Sequence, residues 1–258
     1  MRNVATVQLI GSTIKNTLRH TANGFPVLDV TVAGNAPSAD GEKTKAYYQQ
    51  VQVLGKYAET LAQVLVNGMA VAVLGQLSFQ SWEKDGKRNS AVRITADSFV
   101  ILDGEHETIA DAKGQERLMN GQNRATLLGN LTRDAELRYT PNGHAVARFS
   151  VAVNRRRGDQ EEVGFYDVTA WNELAEQVGS LKKGMPVLVE AAISNDNWTD
   201  KEGNKRYATR FDAATVQTLR RPAGAERDED TVETAKTQNV PAPEPSFDDL
   251  GPAEELPF

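Results

Sequence analysis

The sequence predicts an all-β protein with two consecutive small barrels of the same fold and an acidic C-terminal tail. Three observations support this fold class. A segment that begins at Leu9 returns with one inserted residue and ends its second copy at Asn154, so the chain contains a tandem duplication. Each copy has short alternating apolar and polar segments around one segment of helical periodicity, which is typical of a small β-barrel domain. From Arg220 onward the composition changes to Pro, Ala, Thr, Asp and Glu.

The repeat has the length of a domain. From Leu18/Leu137 to Asn35/Asn154 the offset is a constant 119 residues, whereas solenoid repeats span about 20–50 residues. Later matches pair Ala58-Glu59 with Ala175-Glu176, Gly68-Met69 with Gly184-Met185, Trp82 with Trp198, and Lys87-Arg88 with Lys205-Arg206. The predicted boundaries are a first barrel over 1–102, a linker over 103–121, a second barrel over 122–220 and a tail over 221–258.

A tight turn separates the first and second predicted strands of each copy. Asn23-Gly24 and Asn142-Gly143 predict that turn, because Asn and Gly tolerate positive φ. The strand after it alternates with period two, as Leu28, Val30 and Val32 do, so one of its faces is predicted to be buried. The third strand is predicted over 48–54 in the first copy and 165–171 in the second.

A helix and two strands complete each copy. Leu174, Val178 and Leu181 have helical spacing, with Asn172 as the expected N-cap and Gly184 just beyond the C-terminal end. The last strands are predicted over 71–82 and 88–101, and over 187–198 and 206–219. This order, with the helix between the third and fourth strands, is that of the OB-fold, a five-stranded Greek-key barrel that binds oligonucleotides or oligosaccharides. The linker 103–121 has neither periodicity, and the tail is predicted to be disordered because it lacks residues for a core.

Composition excludes several classes of protein. The segment 222–258 has ten carboxylates against Arg227 and Lys236, a net charge of −8, so residues 1–221 carry +2 of the chain's total of −6. There is no cysteine, and the three histidines are scattered, so we expect no bound metal and no cofactor. We expect no membrane span, no signal peptide and a cytoplasmic location. No catalytic constellation is present, which indicates a binding protein rather than an enzyme.

Aromatic residues next to basic ones predict binding of single-stranded nucleic acid. Bases stack on flat rings while cations follow the phosphates. Trp82 lies near Lys87, Arg88 and Arg93, and its counterpart Trp198 lies near Lys205, Arg206 and Arg210. The alternative is that each tryptophan packs in the barrel and the cations form a solvated surface.

The same alternatives apply to the third strand, which contains Tyr48 in one copy and Phe165 and Trp171 in the other. Adjacent residues face opposite sides, so about half of these aromatic residues belong to the core, and the sequence does not tell which half. The run Arg155-Arg156-Arg157 is either a solvated turn or a phosphate-binding cluster.

The end of the tail places apolar residues next to carboxylates. This pattern favours a peptide that a partner protein binds, over a segment that serves solubility alone. The residues of this predicted partner-binding tip are Asp248, Asp249, Glu254, Glu255, Leu256, Pro257 and Phe258.

Four phrases resemble the bacterial single-stranded DNA-binding proteins, in the two-barrel form of the Deinococcus–Thermus lineage. They are LLGNLTRDAELRYTPNGHAVARFSVAVN, WNELAE, NDNWTDKEGNKRY and the terminal EELPF. The resemblance implies a homodimer with four OB-folds that binds single-stranded DNA without sequence choice and associates with the nucleoid. It also implies a tip that binds replication, recombination and repair proteins.

The resemblance further implies that Phe165, Trp171, Trp198, Tyr48 and Trp82 stack on bases. The cations expected beside them are Lys87, Arg88, Arg93, Arg138, Arg155, Arg156, Arg157, Lys205, Arg206 and Arg210. The chain departs from the family at Arg157 and Ser38, where single-barrel members have another stacking tryptophan. It departs again at Leu54, which stands where the second copy has Trp171. With Trp171 and a net charge of +2 over 120–221, the second barrel is expected to bind more tightly than the first.

Two other functions remain open from the sequence. One is an OB-fold adaptor whose ligand is a protein, which requires that the aromatic residues are buried. The other is RNA as the ligand, because base stacking does not distinguish the sugar.

Overall fold

In a computed structural model of the chain, the structure describes residues 3–38, 44–84, 87–157, 160–199 and 205–219. Within these ranges, the side chains of residues 84, 87–89, 156–157, 160–161, 197–198 and 205–207 are not described. The described residues form thirteen strands and two helices. In the first half these are β1 (Val4–His20), β2 (Pro26–Pro37), β3 (Thr44–Leu54), α1 (Lys56–Val64), β4 (Ala70–Lys84) and β5 (Lys87–Ile101). Then follow β6 (Thr108–Ala110), β7 (Glu116–Leu118), β8 (Gln122–Leu131), β9 (Glu136–Tyr139), β10 (Ala145–Arg157), β11 (Gln160–Trp171), α2 (Asn172–Val178), β12 (Pro186–Thr199) and β13 (Lys205–Thr218).

Each half closes into a five-stranded barrel. In the first, β1 pairs with β2, β2 with β3, β3 with β5 in parallel, and β5 with β4, which returns to β1. The second barrel repeats this circuit with β8, β10, β11, β13 and β12. A helix lies between the third and fourth strands of each circuit. The prediction of two OB-folds is therefore confirmed. The tail predicted to be disordered lies outside the described residues.

The first strand differs between the two copies. β1 is continuous, with a shift of register between Thr13 and Lys15, and it pairs with β2 on one side and β4 on the other. Its counterpart is divided into β8 and β9 by residues 132–135. The residue inserted in the second copy lies between Gly129 and Leu137, so the longer sequence is accommodated by interrupting the strand.

The helix boundaries predicted from the sequence were wrong at both ends of α2. α2 begins at Asn172 itself, whose φ of 51° is in the left-handed region, and its side-chain oxygen lies 3.2 Å from His144 Nδ1 instead of capping the helix. The helix ends at Val178, six residues before Gly184. Gly184 has φ 81° and lies in the turn before β12, so its positive φ serves that turn and not a helix cap.

The two barrels share one sheet because β1 pairs antiparallel with β8, from Val4 opposite Leu128 to Ile10 opposite Gln122. Apolar residues of both barrels form one cluster of buried side chains, including Leu9 in the first and Leu127 in the second. Pairing through the first strand of each barrel fixes their relative position and places the third strands on either side of the junction.

The predicted linker contains regular structure. β6 and β7 form a small hairpin that packs on the first barrel, where Leu118 is buried and β7 pairs in parallel with Gly34 of β2. Strands of three residues are too short to display a period of two, so the sequence pattern did not predict them.

Candidate nucleic-acid interface

The burial of side chains on the third strands shows which aromatic residues belong to the core. Tyr47 and Tyr166 are buried, and burial raises the pKa of both phenols far above the ordinary value. Tyr48 and Phe165 alternate with them and therefore point away from the core, half-buried, while Trp171 at the end of β11 is 45 % exposed. The structure thus places three of the predicted stacking residues on the outer surface of the barrels.

Tyr48 is held by the hairpin of β6 and β7, residues 108–118, which is called the linker hairpin below. Its hydroxyl donates to Asp111 Oδ2 at 2.9 Å, and Arg117 Nη1 donates to the same hydroxyl at 3.3 Å. The Arg117 guanidinium carbon lies 5.9 Å from the ring centroid, within the range of a cation–π contact. Burial raises the pKa of Tyr48, and so does the hydrogen bond to Asp111. Sequence reasoning missed Asp111 and Arg117, because nothing in a linker of mixed composition indicates a contact with β3.

Phe165, the counterpart of Tyr48, packs against the other barrel. Its ring meets the ring of Phe79 in β4 edge to face, with centroids 5.8 Å apart and planes at 86°. At the equivalent contact on the other side of the junction, Asn195 donates to the backbone oxygen of Tyr48 at 3.1 Å. One side of the junction is therefore aromatic and the other is polar. Phe79 is a second residue that the sequence did not indicate.

The two tryptophan hairpins differ in register. Trp82 of β4 is 45 % exposed and stands opposite Asn89 of β5, whereas the ladder of β12 and β13 sets Trp198 opposite Arg206. Arg88 is opposite Glu83, so the two Lys-Arg pairs that match in sequence fall one position apart in the ladders. The side chains of Lys87, Arg88, Trp198, Lys205 and Arg206 lie outside the described residues.

Of the predicted cations whose side chains the structure describes, Arg93 belongs to the first barrel, and Arg138, Arg155 and Arg210 belong to the second. Arg210 of β13 lies 2.8 Å from Asp196, and Arg138 of β9 pairs with Glu136. Arg148 of β10 lies near Arg210, and its pKa is lowered first by burial and then by the charge of Arg210. The sequence alone did not indicate Arg148, because a single arginine on an alternating strand is typical of any solvated surface.

The remaining predicted cations have different surroundings. Arg155 is exposed near the end of β10, and Arg93 is exposed on β5 opposite Ser78. The side chains of Arg156 and Arg157 lie outside the described residues, as does the whole partner-binding tip, 248–258.

Arg148 has no cationic counterpart in the first barrel. The equivalent residue is Asp29, which binds Arg19 at 2.6 Å and accepts a hydrogen bond from Gln52 at 2.8 Å. In the second barrel Arg138, the counterpart of Arg19, pairs with Glu136, and Arg148 is an additional cation with Asp196 and Glu136 nearby.

Comparison with known proteins shows which family the chain belongs to. The model of the single-strand binding protein family matches residues 4–102 and 122–219, which correspond to the two barrels. The chain belongs to the single-strand binding protein family. This is a DNA-binding family and not an enzyme family.

Relatives in this family match over most or all of the chain. The single-stranded DNA-binding protein of Thermus aquaticus is 40 % identical over 267 residues, covering 100 % of this chain and 99 % of that protein. The one from Deinococcus radiodurans is 42 % identical over 234 residues, covering 86 % and 78 % of the two chains. The crystal structure of the wild-type Thermus aquaticus protein superimposes with a TM-score of 0.69 and 34 % identity, over 88 % of this chain and 98 % of the other.

Among the described residues, neither helix has the length and apolarity that a membrane span requires.

Proposed function

We propose that this protein coats and protects single-stranded DNA without regard to sequence. The observation that supports this most directly is on the outer face of β10 and β11. Arg148 stands opposite Thr169, and Phe165 and Trp171 are on the same face of β11, because cross-strand partners and residues two apart share a face. An arginine between two outward aromatic rings suits a strand whose bases stack while a phosphate binds the cation.

The relatives support the same ligand, since those from Thermus and Deinococcus are named single-stranded DNA-binding proteins. The 45 % exposure of both Trp82 and Trp171 argues against an adaptor with buried aromatic residues. The stacking residues of the proposal are Tyr48, Trp82, Phe165, Trp171 and Trp198, with the cations predicted from the sequence and Arg148 in addition.

Titration with oligo(dT) tests the proposal. Stacking is expected to quench the tryptophan fluorescence at low salt, and added salt is expected to weaken binding because bound cations release counterions. A duplex of the same length is the control and is expected to compete poorly. Absence of quenching by a 50-residue oligo(dT) at low salt would contradict the proposal, and tighter binding of oligo(rU) would show that RNA is the ligand.

A homodimer with four OB-folds is also part of the proposal. Leu74 of β4 and Val100 of β5 are about half exposed on the outer face of the sheet that β1 and β8 join. Ile10, Leu128 and Leu188 lie on the same face and are partly covered. The same face also carries the Arg124–Glu190 ion pair, so apolar and charged residues share it. A mixed surface of this kind suits a second copy of the chain, because a two-fold axis lets one surface pair with itself.

The cellular role extends the proposal beyond the barrels. The sequence of the tip, with carboxylates before Leu256, Pro257 and Phe258, supports recruitment of replication, recombination and repair proteins. Such a protein would act in the cytoplasm, associated with the nucleoid.

A further inference from the structure

The linker hairpin, defined as residues 108–118, has a rigid turn. Asp111 accepts the backbone N–H groups of Lys113 at 2.8 Å and Gln115 at 2.9 Å, and its own N–H donates to the Gln115 carbonyl at 2.9 Å. The hydrogen bond from Gln115 is the largest of the causes that lower the pKa of this carboxyl group. Asp111 therefore remains ionised near neutral pH and organises the turn.

The linker hairpin is fixed to the first barrel at several points. Ser12 Oγ donates to the Glu116 carbonyl at 2.5 Å, and Gly121 N–H donates to Asn35 O at 2.7 Å just after β7. Leu118 is buried. Together with the bonds from Tyr48 to Asp111 and Arg117, these contacts hold the hairpin beside the outer face of β3.

Between the hairpin and β3 lies a cavity of about 540 Å³, within the range of about 300–1,000 Å³ that small-molecule pockets have. Its lining combines an aromatic ring, two cations, a side-chain amide and one carboxylate, from Tyr48, Lys113, Arg117, Gln115 and Asp111. The formal charge of these groups is positive by one. The Asp111 carboxylate already accepts hydrogen bonds from two N–H groups and the Tyr48 hydroxyl, and the two cations of the lining outnumber it.

Arg117 supplies a further argument for a ligand. Its Nε is buried and has no acceptor among the described residues, although Nη1 bonds to Tyr48. A buried donor without an acceptor is unfavourable, so an anion bound beside this guanidinium would be favoured.

We propose, on the basis of the single-stranded DNA binding proposed above, that this pocket takes one nucleotide of the bound strand. The base lies against the Tyr48 ring, its polar edge meets Gln115, and its phosphate binds Lys113 and Arg117. Phe165 at the equivalent place in the second barrel has no hydroxyl and packs against Phe79. The linker hairpin thus gives the first barrel a nucleotide pocket of its own.

Photocross-linking locates the base. An oligo(dT) with one 5-iodouracil at its centre is irradiated with the full-length protein, and the modified peptides are identified by mass spectrometry. An adduct on Tyr48 is expected. Adducts confined to other aromatic residues, in a sample that binds the oligonucleotide, would overturn the pocket while leaving the proposed function intact. Absence of all binding would instead contradict the proposed function.

A charge deletion tests the phosphate contact. Lys113→Ala is expected to lower the affinity for oligo(dT) several-fold and to reduce the slope of log K against log salt by about 1. Lys182→Ala removes a lysine from the second barrel, where Lys182 pairs with Asp134 at 2.9 Å, and is the matched control. If the two variants have the same affinity and slope, Lys113 does not bind a phosphate and the pocket is overturned. Retention of the wild-type melting temperature in both variants shows that the fold is intact.

Discussion

Tyr166 and Gln49 occupy equivalent positions in the two repeats, and each donates a hydrogen bond to the other barrel. The Tyr166 hydroxyl donates to Leu77 O at 3.2 Å, and Gln49 Nε2 donates to Ile193 O at 3.0 Å. Leu77 and Ile193 are themselves equivalent, being five residues before Trp82 and Trp198. The junction therefore follows a local two-fold relation in its backbone, while the side chains that complete it differ.

Tyr166→Phe is expected to destabilise the protein by about 1–2 kcal/mol, because the ring still fits but the Leu77 carbonyl loses a buried donor. The measurement is urea unfolding followed by circular dichroism, with Tyr139→Phe as the control because Tyr139 is 62 % exposed. Equal stability of the two variants would show that the bond across the junction contributes nothing measurable.

The stability of the same variant is expected to depend on pH differently from that of the wild type. Burial raises the pKa of Tyr166, whereas a tyrosine in the unfolded chain ionises near pH 10, so the unfolded state loses its proton first. The stability due to the neutral phenol is complete below about pH 10 and is lost as the pH rises toward the folded pKa. Stability is therefore expected to fall less steeply above pH 10 in Tyr166→Phe than in the wild type.

At the scale of strands and helices, alternation and turn signals predicted the five strands of each barrel because these strands are long and half-buried. The same alternation could not show which face of β3 is inside, since Tyr47 and Tyr48 are adjacent and chemically alike. It also could not give the ladder register. Matching by identity aligned Arg88 with Arg206, but the structure sets Asn89 at the place equivalent to Arg206.

The parts of the candidate site that the sequence did not predict are those made by contacts between elements. Asp111 and Arg117 reach Tyr48 only because the linker hairpin packs on the first barrel. Phe79 contacts Phe165 only because the two barrels pack together. Arg148 is recognisable once its neighbours on adjacent strands are known. Local pattern and residue identity contain none of this information.

The outer face of the sheet leads to a testable prediction about the proposed homodimer. Leu74→Glu is expected to abolish the proposed homodimer, since it would bury an unpaired carboxylate against the second copy. Leu74 is 53 % exposed in one chain, so the barrel itself should tolerate the change. Light scattering after gel filtration measures the outcome, with twice the 28.2 kDa of one chain expected for the wild type.

Val66→Glu is the matched control for that variant. Val66 is similarly exposed, at 57 %, but follows α1 and does not belong to the sheet face. A wild-type protein with the mass of one chain, or a Leu74→Glu variant that keeps twice that mass, would contradict the proposed interface.

On the scale of the whole molecule, the duplication has produced two barrels with one backbone plan and different surfaces. The second has Trp171 where the first has Leu54, and Arg148 where the first has Asp29. The first has instead a tyrosine covered by the linker hairpin. Under the proposed binding, a strand that crosses both barrels would meet a cationic aromatic face on the second and a pocket on the first. The tighter binding expected of the second barrel stays a prediction.

Charge changes at the two equivalent positions test this difference within the full-length chain. Arg148→Gln removes a cation between two outward rings and is expected to weaken oligo(dT) binding five-fold or more, corresponding to about 1 kcal/mol. Asp29→Asn releases Arg19 from its ion pair on the first barrel, so binding is expected to stay equal or strengthen slightly. Fluorescence anisotropy of a labelled oligonucleotide at several salt concentrations measures both. If the strand relied on the two barrels equally, Asp29→Asn would strengthen binding about as much as Arg148→Gln weakens it, and that result would contradict the asymmetry.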